Sequence, residues 1–288
     1  MKELAKFRML VDTHCHLDFE RFDADRDQVL IRAAESGVMR IIVPAVSLDN
    51  CRSVLKLAEV NSAVYAAVGI HPNSSAMWQD SWVETIRDLA QHPKVVAIGE
   101  IGLDYHWDDS PKEIQHQALN AQITLAAELD LPVIIHNREA SNDLVSLLAD
   151  SPLNGRSRPG VLHSFSADWE TAQAALDMGF YLGFTGPVTF NNADDLRRIA
   201  ARVPLNRLLV ETDAPFLAPQ NFRGKRNEPA YVKFIAERIA ALHDLDTATF
   251  AQQTTANAAR LFGSRLAVTQ PAARQGMDSG KVIDNGDS

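Results

Sequence analysis

Short apolar runs alternate with longer amphipathic stretches along most of this chain. Eight runs are rich in Val, Ile and Leu on both faces: Arg8–Asp12, Arg40–Pro44, Val64–Gly69, Val95–Gly99, Val133–His136, Gly160–His163, Phe180–Gly183 and Arg207–Val210. Parallel strands covered on both sides have this pattern. Between them lie stretches of helical period at Asp25–Ser36, Leu48–Val60, Trp82–Gln91, Pro111–Asp130, Glu139–Ala149, Trp169–Met178 and Ala193–Ala201. Gly37 and Gly179 stand where helix-ending residues belong, and Asp49 and Asp168 where N-terminal caps belong. Pro229–Leu242 and Thr247–Phe262 read as two closing helices.

Eight such alternations predict an α/β chain folded as a (β/α)8 TIM barrel, which typically takes about 250 residues. The barrel is expected to be a single domain over 1–264, with a disordered, non-catalytic tail over 265–288 rich in Gln, Gly, Asp, Ser and Ala. An open doubly wound sheet is the rival fold. It gathers ligands at one switch-point crevice. Here ligand-type residues follow runs 1, 3, 4, 5, 6 and 8, a spread that the barrel explains.

Five of the nine histidines sit just past an apolar run: His14 and His16, His71, His136 and His163. Two acidic residues do the same, Glu100 after VVAIG and Asp213 after LLVET. Residues at the same end of barrel strands converge, and a cluster of imidazoles and carboxylates there reads as a metal site. In an extended HxH, both imidazoles share a face, so His14 and His16 can reach one ion while Cys15 points elsewhere and packs. Asp12 either orients a ligand or closes the barrel.

A lone histidine after an apolar run is more often a satisfied core residue. His136 and His163 on adjacent strands, beside HxH and Glu100, reverse that weighting. The set splits in two: His14, His16, Asp213 and Glu100 for one ion, and Glu100, His136 and His163 for the other. Glu100 would bridge, and Asp213 suits a ligand or a base, so these two are the candidate catalytic carboxylates. Two divalent ions, drawn from Mg, Mn, Zn, Co or Fe, would suit hydrolysis in which a bridging hydroxide attacks a phosphoryl centre. His92, His106, His116 and His243 fall on helices or loops and read as solvent-facing or structural.

Composition narrows the substrate. The formal net charge is −9, which argues against a sequence-reading DNA binder with a basic face. It leaves room for an enzyme that holds phosphates locally. Arg138 follows His136 by two residues and can grip a phosphate, although a surface helix start is an equal reading. Arg223, Lys225 and Arg226 surround Gly224 in the loop after Asp213, where a polyanion could be collected. His71 is expected to face substrate as a phosphate donor; Tyr105 and Trp107 could stack a base, and a lid over the barrel mouth is an equal reading of Trp107. Two cysteines without a CxxC pair suit a reducing compartment. No signal-like or membrane-length apolar run is present in the sequence.

With these residues in hand, the chain resembles the TatD-type metal-dependent deoxyribonuclease family. The matching pieces are DTHCHLD, VGIHP, IGEIGLDYHW, LPVIIHNREA, GVLHSFS and ETDAPFLAPQNFRGKRNEP. The resemblance implies a TIM barrel and a cytoplasmic hydrolase acting on DNA ends. It carries over His14, His16, Glu100, His136, His163 and Asp213 as ligands. Many relatives have a second histidine shortly after the HP of the third strand; Asn73 takes that place here.

The leading expectation is a deoxyribonuclease, exonuclease-like, acting on single-stranded DNA or free ends by a two-metal mechanism. One alternative is an amidohydrolase-type enzyme cleaving a C–N or ester bond in a small molecule. Glu100, where that broader group commonly has a bridging carbamylated lysine, weighs against it. A non-enzymatic partner protein with a vestigial site is the other, and the intact ligand set opposes it. The oligomeric state stays open.

Overall fold

The computed structural model describes residues 10–268. The start of the first expected strand, Arg8 and Met9, and the tail from residue 269 onward lie outside the described residues. Eight strands form one parallel sheet in sequential order: β1 (Leu10–Asp12), β2 (Val38–Pro44), β3 (Val64–Val68), β4 (Val95–Asp104), β5 (Val133–Arg138), β6 (Gly160–Leu162), β7 (Tyr181–Phe184) and β8 (Leu208–Val210). The helices between them are α1 (Arg26–Glu35), α2 (Leu48–Val60), α3 (Trp82–Ala90), α4 (Lys112–Glu128), α5 (Ser141–Ala149), α6 (Trp169–Asp177) and α7 (Asp194–Arg202). Two more, α8 (Val232–Leu242) and α9 (Thr247–Phe262), follow β8.

Polar groups beyond the strand ends close the circle between β8 and β1. Asp213 N donates to His14 O at 2.8 Å and His16 N to Ala214 O at 2.7 Å. Asp12 accepts from Thr212 N at 2.9 Å and Thr212 Oγ1 at 2.6 Å. Of its two expected roles, Asp12 therefore takes closure, and burial pushes its carboxyl up to about 8. No helix among the described residues is long and apolar enough to cross a membrane.

Two apolar layers hold the barrel. Every strand contributes to the inner one, including Val11, Ile42, Ile134 and Leu209. Leu261 and Phe262 at the end of α9, with Leu266, pack against that layer. The outer layer joins the other strand faces to the helices. Side chains thus fill the barrel interior, and chemistry is confined to the end where the loops leave the strands.

Several boundaries depart from the sequence expectation, most by one or two residues. The cap of α2 is Ser47, whose side chain accepts from Asn50 N at 3.3 Å. Asp49 instead lies in the first turn, where a negative charge suits the helix dipole. Asp168 does cap α6. The Pro229–Tyr231 stretch is a 3-10 turn before α8, because a proline there can open a helix but not donate within it.

The largest departure is β4, which runs five residues past Gly99 to Asp104. Ile98 pairs with Val133 and Ile101 with Ile135, so Gly99 and Glu100 together oppose Ile134. This is a bulge, which breaks the two-residue alternation and re-aims a side chain. Gly99 permits it: a Cβ there would lie 2.7 Å from Ile134 Cβ.

Candidate metal centre

Each functional side chain leaves the same end of the barrel. His14 and His16 follow β1, His71 follows β3, Glu100 sits on the β4 bulge, His136 lies within β5, His163 follows β6, and Asp213 follows β8. All but the fully buried His14 line a cavity of about 720 Å³ whose outer wall includes Phe19, Trp107, Arg138 and Phe216.

The donor atoms fall into two sets that share Glu100. In the first, His14 Nε2 lies 3.2 Å from His16 Nε2, 3.3 Å from Glu100 Oε2 and 3.6 Å from Asp213 Oδ1. His16 Nε2 lies 3.6 Å from Glu100 Oε2 and 3.4 Å from Asp213 Oδ1. A tetrahedral ion with ligands at about 2.0–2.1 Å holds its donors about 3.3–3.4 Å apart. The five separations therefore fit a first-row divalent ion.

In the second set Glu100 turns its other oxygen, Oε1, to His163 Nε2 at 2.8 Å and His136 Nδ1 at 3.0 Å. Those two nitrogens are 3.4 Å apart. Ligand-type triads that could hold an ion include His14, His16 and Asp213, and His14, Glu100 and His163.

His71 also lies close, with Nε2 at 3.5 Å from Glu100 Oε1, and completes a third such triad with His136. Its tautomer argues against ligation. Nδ1 faces the amide N–H of Asn73 at 3.1 Å and must accept, which puts the proton on Nε2. Burial holds this imidazole neutral, its pKa down to about 3. His71 thus turns an N–H donor into the cavity.

Charge in the cluster is unusual. Burial alone would raise the Glu100 carboxyl, but the imidazoles around it, His163 foremost, outweigh it and hold it well below the ordinary range. Burial also opposes ionisation of Asp213, which His16 and its neighbours nevertheless keep low. His14 is pushed down to about 4 by burial and by His163 beside it, their rings stacked 3.9 Å apart. Two ionised carboxylates so deep among imidazoles are matched by a cation, or by protons on the histidines when no cation is bound.

Asp104 was not singled out from the sequence. The bulge lengthens β4 until Asp104 Oδ2 reaches His136 Nε2 at 2.9 Å. Burial would lower the His136 pKa, but Asp104 and Glu100 together hold it up to about 9. With Nδ1 aimed at the second donor set, Nε2–H donates to Asp104, the arrangement that orients ligating imidazoles. His14, His16 and His163 leave their buried Nδ1 atoms without a hydrogen-bond partner. Glu211 was also missed: its Oε1 lies 3.9 Å from His163 Nδ1, and it accepts from Ser164 N and from Thr13 Oγ1.

The Asp104→Asn variant should keep the bonds from His106 N and Trp107 N to Oδ1 while losing the acceptor at Oδ2. Affinity for one divalent ion should fall about 10–100-fold. Calorimetric titration with Mn reads this, and wild-type affinities throughout would remove Asp104 from the role.

The remaining expected contacts divide. Arg138 and Trp107 do line the cavity, the guanidinium 5.5 Å from the indole centroid. Arg223 and Lys225 stand outside it, in a neighbouring pocket that shares Phe216 and Leu217. Tyr105 does not face the cavity: its hydroxyl donates to Asp143 Oδ2 at 2.6 Å and lies 2.6 Å from His116 Nε2, against α4 and α5. Arg226 is not free for substrate, since it grips Asp25 at 2.7 and 2.8 Å. Asn73 lines the cavity and donates to Asp104 at 3.4 Å. His106 pairs with Glu139 at 2.7 Å.

Comparison with known proteins agrees with this geometry. The family model described as TatD related DNase matches residues 11–263. A Bacillus subtilis protein named an uncharacterized metal-dependent hydrolase, YabD, is 45% identical over 254 residues, covering 88% of this chain and 99% of its own. A Shigella flexneri protein named 3'-5' ssDNA/RNA exonuclease TatD is 38% identical over 259 residues, covering 88% and 99%. Among solved structures, the TatD homologue YjjV from Escherichia coli superposes with a TM-score of 0.82 at 37% identity, covering 89% and 98%.

Proposed function

The chain belongs to the TatD-related DNase family of metal-dependent hydrolases, and from that premise we propose that it cleaves phosphodiester bonds of single-stranded DNA from a free end, in the cytoplasm. One observation carries the substrate class. Arg138 on the cavity wall, and Arg223 and Lys225 just beyond it, have no ion-pair partner among the described residues, in a chain of net charge −9. Unpaired cations beside exposed aromatic rings are what a strand of phosphates and bases requires. Trp107 is 50% exposed and Phe216 45%, so both offer faces for stacking at the rim. The cytoplasmic setting is supported by two buried cysteines that remain free thiols.

His14, His16, Asp213 and Glu100 would hold one divalent ion, and Glu100, His136 and His163 a second. When bound, such ions activate water and neutralise charge on the leaving oxygen. The protein's own groups do the rest. Glu100 fixes the spacing between the two donor sets. His71 donates Nε2–H toward a phosphate oxygen. Arg138 offers a fork to the same phosphate, whose charge grows in the transition state. Asp213, held beside His14 and His16, would serve as a ligand or as the base that takes a proton from water. Phe19, stacked on His16 at 4.7 Å, shields that side from solvent.

The test is a screen of purified protein against Mg, Mn, Co and Zn, with single-stranded DNA, a neutral ester and a neutral amide as substrates. DNA should be shortened from one end, and Arg138→Ala should lower kcat about a hundredfold. Cleavage of the amide, with no cleavage of DNA under any of the four metals, would replace this reading with the amidohydrolase one.

A further inference from the structure

Beside the histidine- and carboxylate-lined cavity lies a second pocket of about 550 Å³, bounded by Arg21, Phe190, Phe216, Arg223, Lys225 and Arg226 among others. No acidic side chain lines it. Arg21, Arg223 and Lys225 are exposed, and no ion pair occupies them among the described residues. The Arg223 guanidinium lies 4.6 Å from the Phe190 ring centroid.

This pocket is built on a fixed frame. Arg226 is tied to Asp25, while Asn227 Nδ2 donates to Thr212 O at 2.9 Å and Phe216 O at 2.7 Å. The loop backbone that carries Arg223 and Lys225 is therefore anchored on its C-terminal side to Asp25 and to the segment that follows β8.

Phe216 is the wall between the two spaces. Its ring lies 6.4 Å from His16 on one side and 5.8 Å from the Arg21 guanidinium on the other. The two spaces therefore adjoin across the width of one aromatic ring.

We propose that the Arg21–Phe190–Arg223–Lys225 pocket is a second nucleotide subsite, holding a phosphate and base of the same single strand about two nucleotides from the bond being cut. This rests on the phosphodiesterase reading above and adds to it a requirement for chain length. Phosphate contacts come from Arg21, Arg223 and Lys225, and the flat faces of Phe190 and Phe216 give sequence-tolerant stacking. Strands too short to span Phe216 lose these contacts and are cut poorly.

The experiment compares oligothymidylates of two and ten nucleotides with Mn present, using wild type, the double variant Arg223→Ala/Lys225→Ala and a control, Arg52→Ala/Arg198→Ala. The control removes equal charge from exposed helical positions. Wild type should prefer the longer strand in kcat/KM, and the pocket variant should lower that preference about tenfold while the control keeps it. Binding of a cleavage-resistant phosphorothioate ten-mer should also change. The slope of log affinity against log salt should flatten by about 1.4 in the pocket variant, at about 0.7 per lost phosphate contact. DNA cleavage with the same length preference in all three proteins overturns the subsite and leaves the phosphodiesterase reading intact. An equal loss in both variants also overturns it, by assigning the effect to overall charge. Failure to cut DNA of either length removes both.

Discussion

Replacing Glu100 by Gln should empty both metal positions together and reduce kcat/KM at least about a thousandfold, about 4 kcal/mol of transition-state stabilisation. The size of the effect follows from position. Only 2% of Glu100 is exposed, and its two oxygens face different donor sets, Oε2 toward His14 and Oε1 toward His163 and His136. Gln keeps the volume, so β4 and its bulge should survive. It removes the negative charge and turns an NH2 donor toward one of the two cation positions. No rotation of the amide cures this, because either end then lacks an acceptor. Metal content by mass spectrometry, beside turnover and a thermal melt, reads the outcome. Full metal content with full turnover would sink the two-ion arrangement, and loss of one ion alone would deny Glu100 its bridging place.

Gly102→Ala should strongly destabilise the fold. Gly102 has φ +153, and a Cβ there would lie 2.0 Å from His136 O and 2.8 Å from His136 C and N. All three neighbours are backbone atoms of the paired strand, so no side chain can swing aside. Relief requires β4 and β5 to part where His136 meets Asp104 and Glu100. Overpacking of this kind costs about 3 kcal/mol or more, roughly 6–12 °C in Tm for a domain of this size. Gly155→Ala is the comparison: φ is +76 there, but nothing lies within 4 Å, so only conformational strain of about 1–2 kcal/mol is expected. Equal losses in the two variants would mean that the strands absorb the contact.

Much of the architecture was legible in the sequence because each barrel unit repeats one local grammar. The helices at Leu48–Val60 and Thr247–Phe262 begin and end where apolar period and breakers place them. The histidines and carboxylates that end apolar runs could be grouped because parallel strands in a barrel share one exit face. Features set by partners distant in sequence could not be read. The β4 bulge depends on Ile134 across the ladder, so the strand was ended five residues early and Asp104 was overlooked. The proton on His71 is placed by the amide of Asn73, a matter of loop geometry. Tyr105 resembles a base-stacking residue until Asp143 and His116 claim its hydroxyl, and Arg226 resembles its free neighbours until Asp25 claims it. Sequence shows which groups a chain carries; which of them are already spoken for is a property of the folded surface.

The closure between β8 and β1 bears on how this protein comes into being. Asp12 and Thr212, which seal it, are 200 residues apart, and the same junction brings the imidazoles beside Asp12 to Asp213. At about 5–20 residues per second, a ribosome takes roughly 10–40 s to deliver the second half of this junction after the first. Throughout that interval the emerging polypeptide carries His14, His16 and then Glu100 without Asp213, the last member of their donor set. A hydrolytic centre assembled from the earliest and latest barrel strands is therefore complete only once residue 213 has been made.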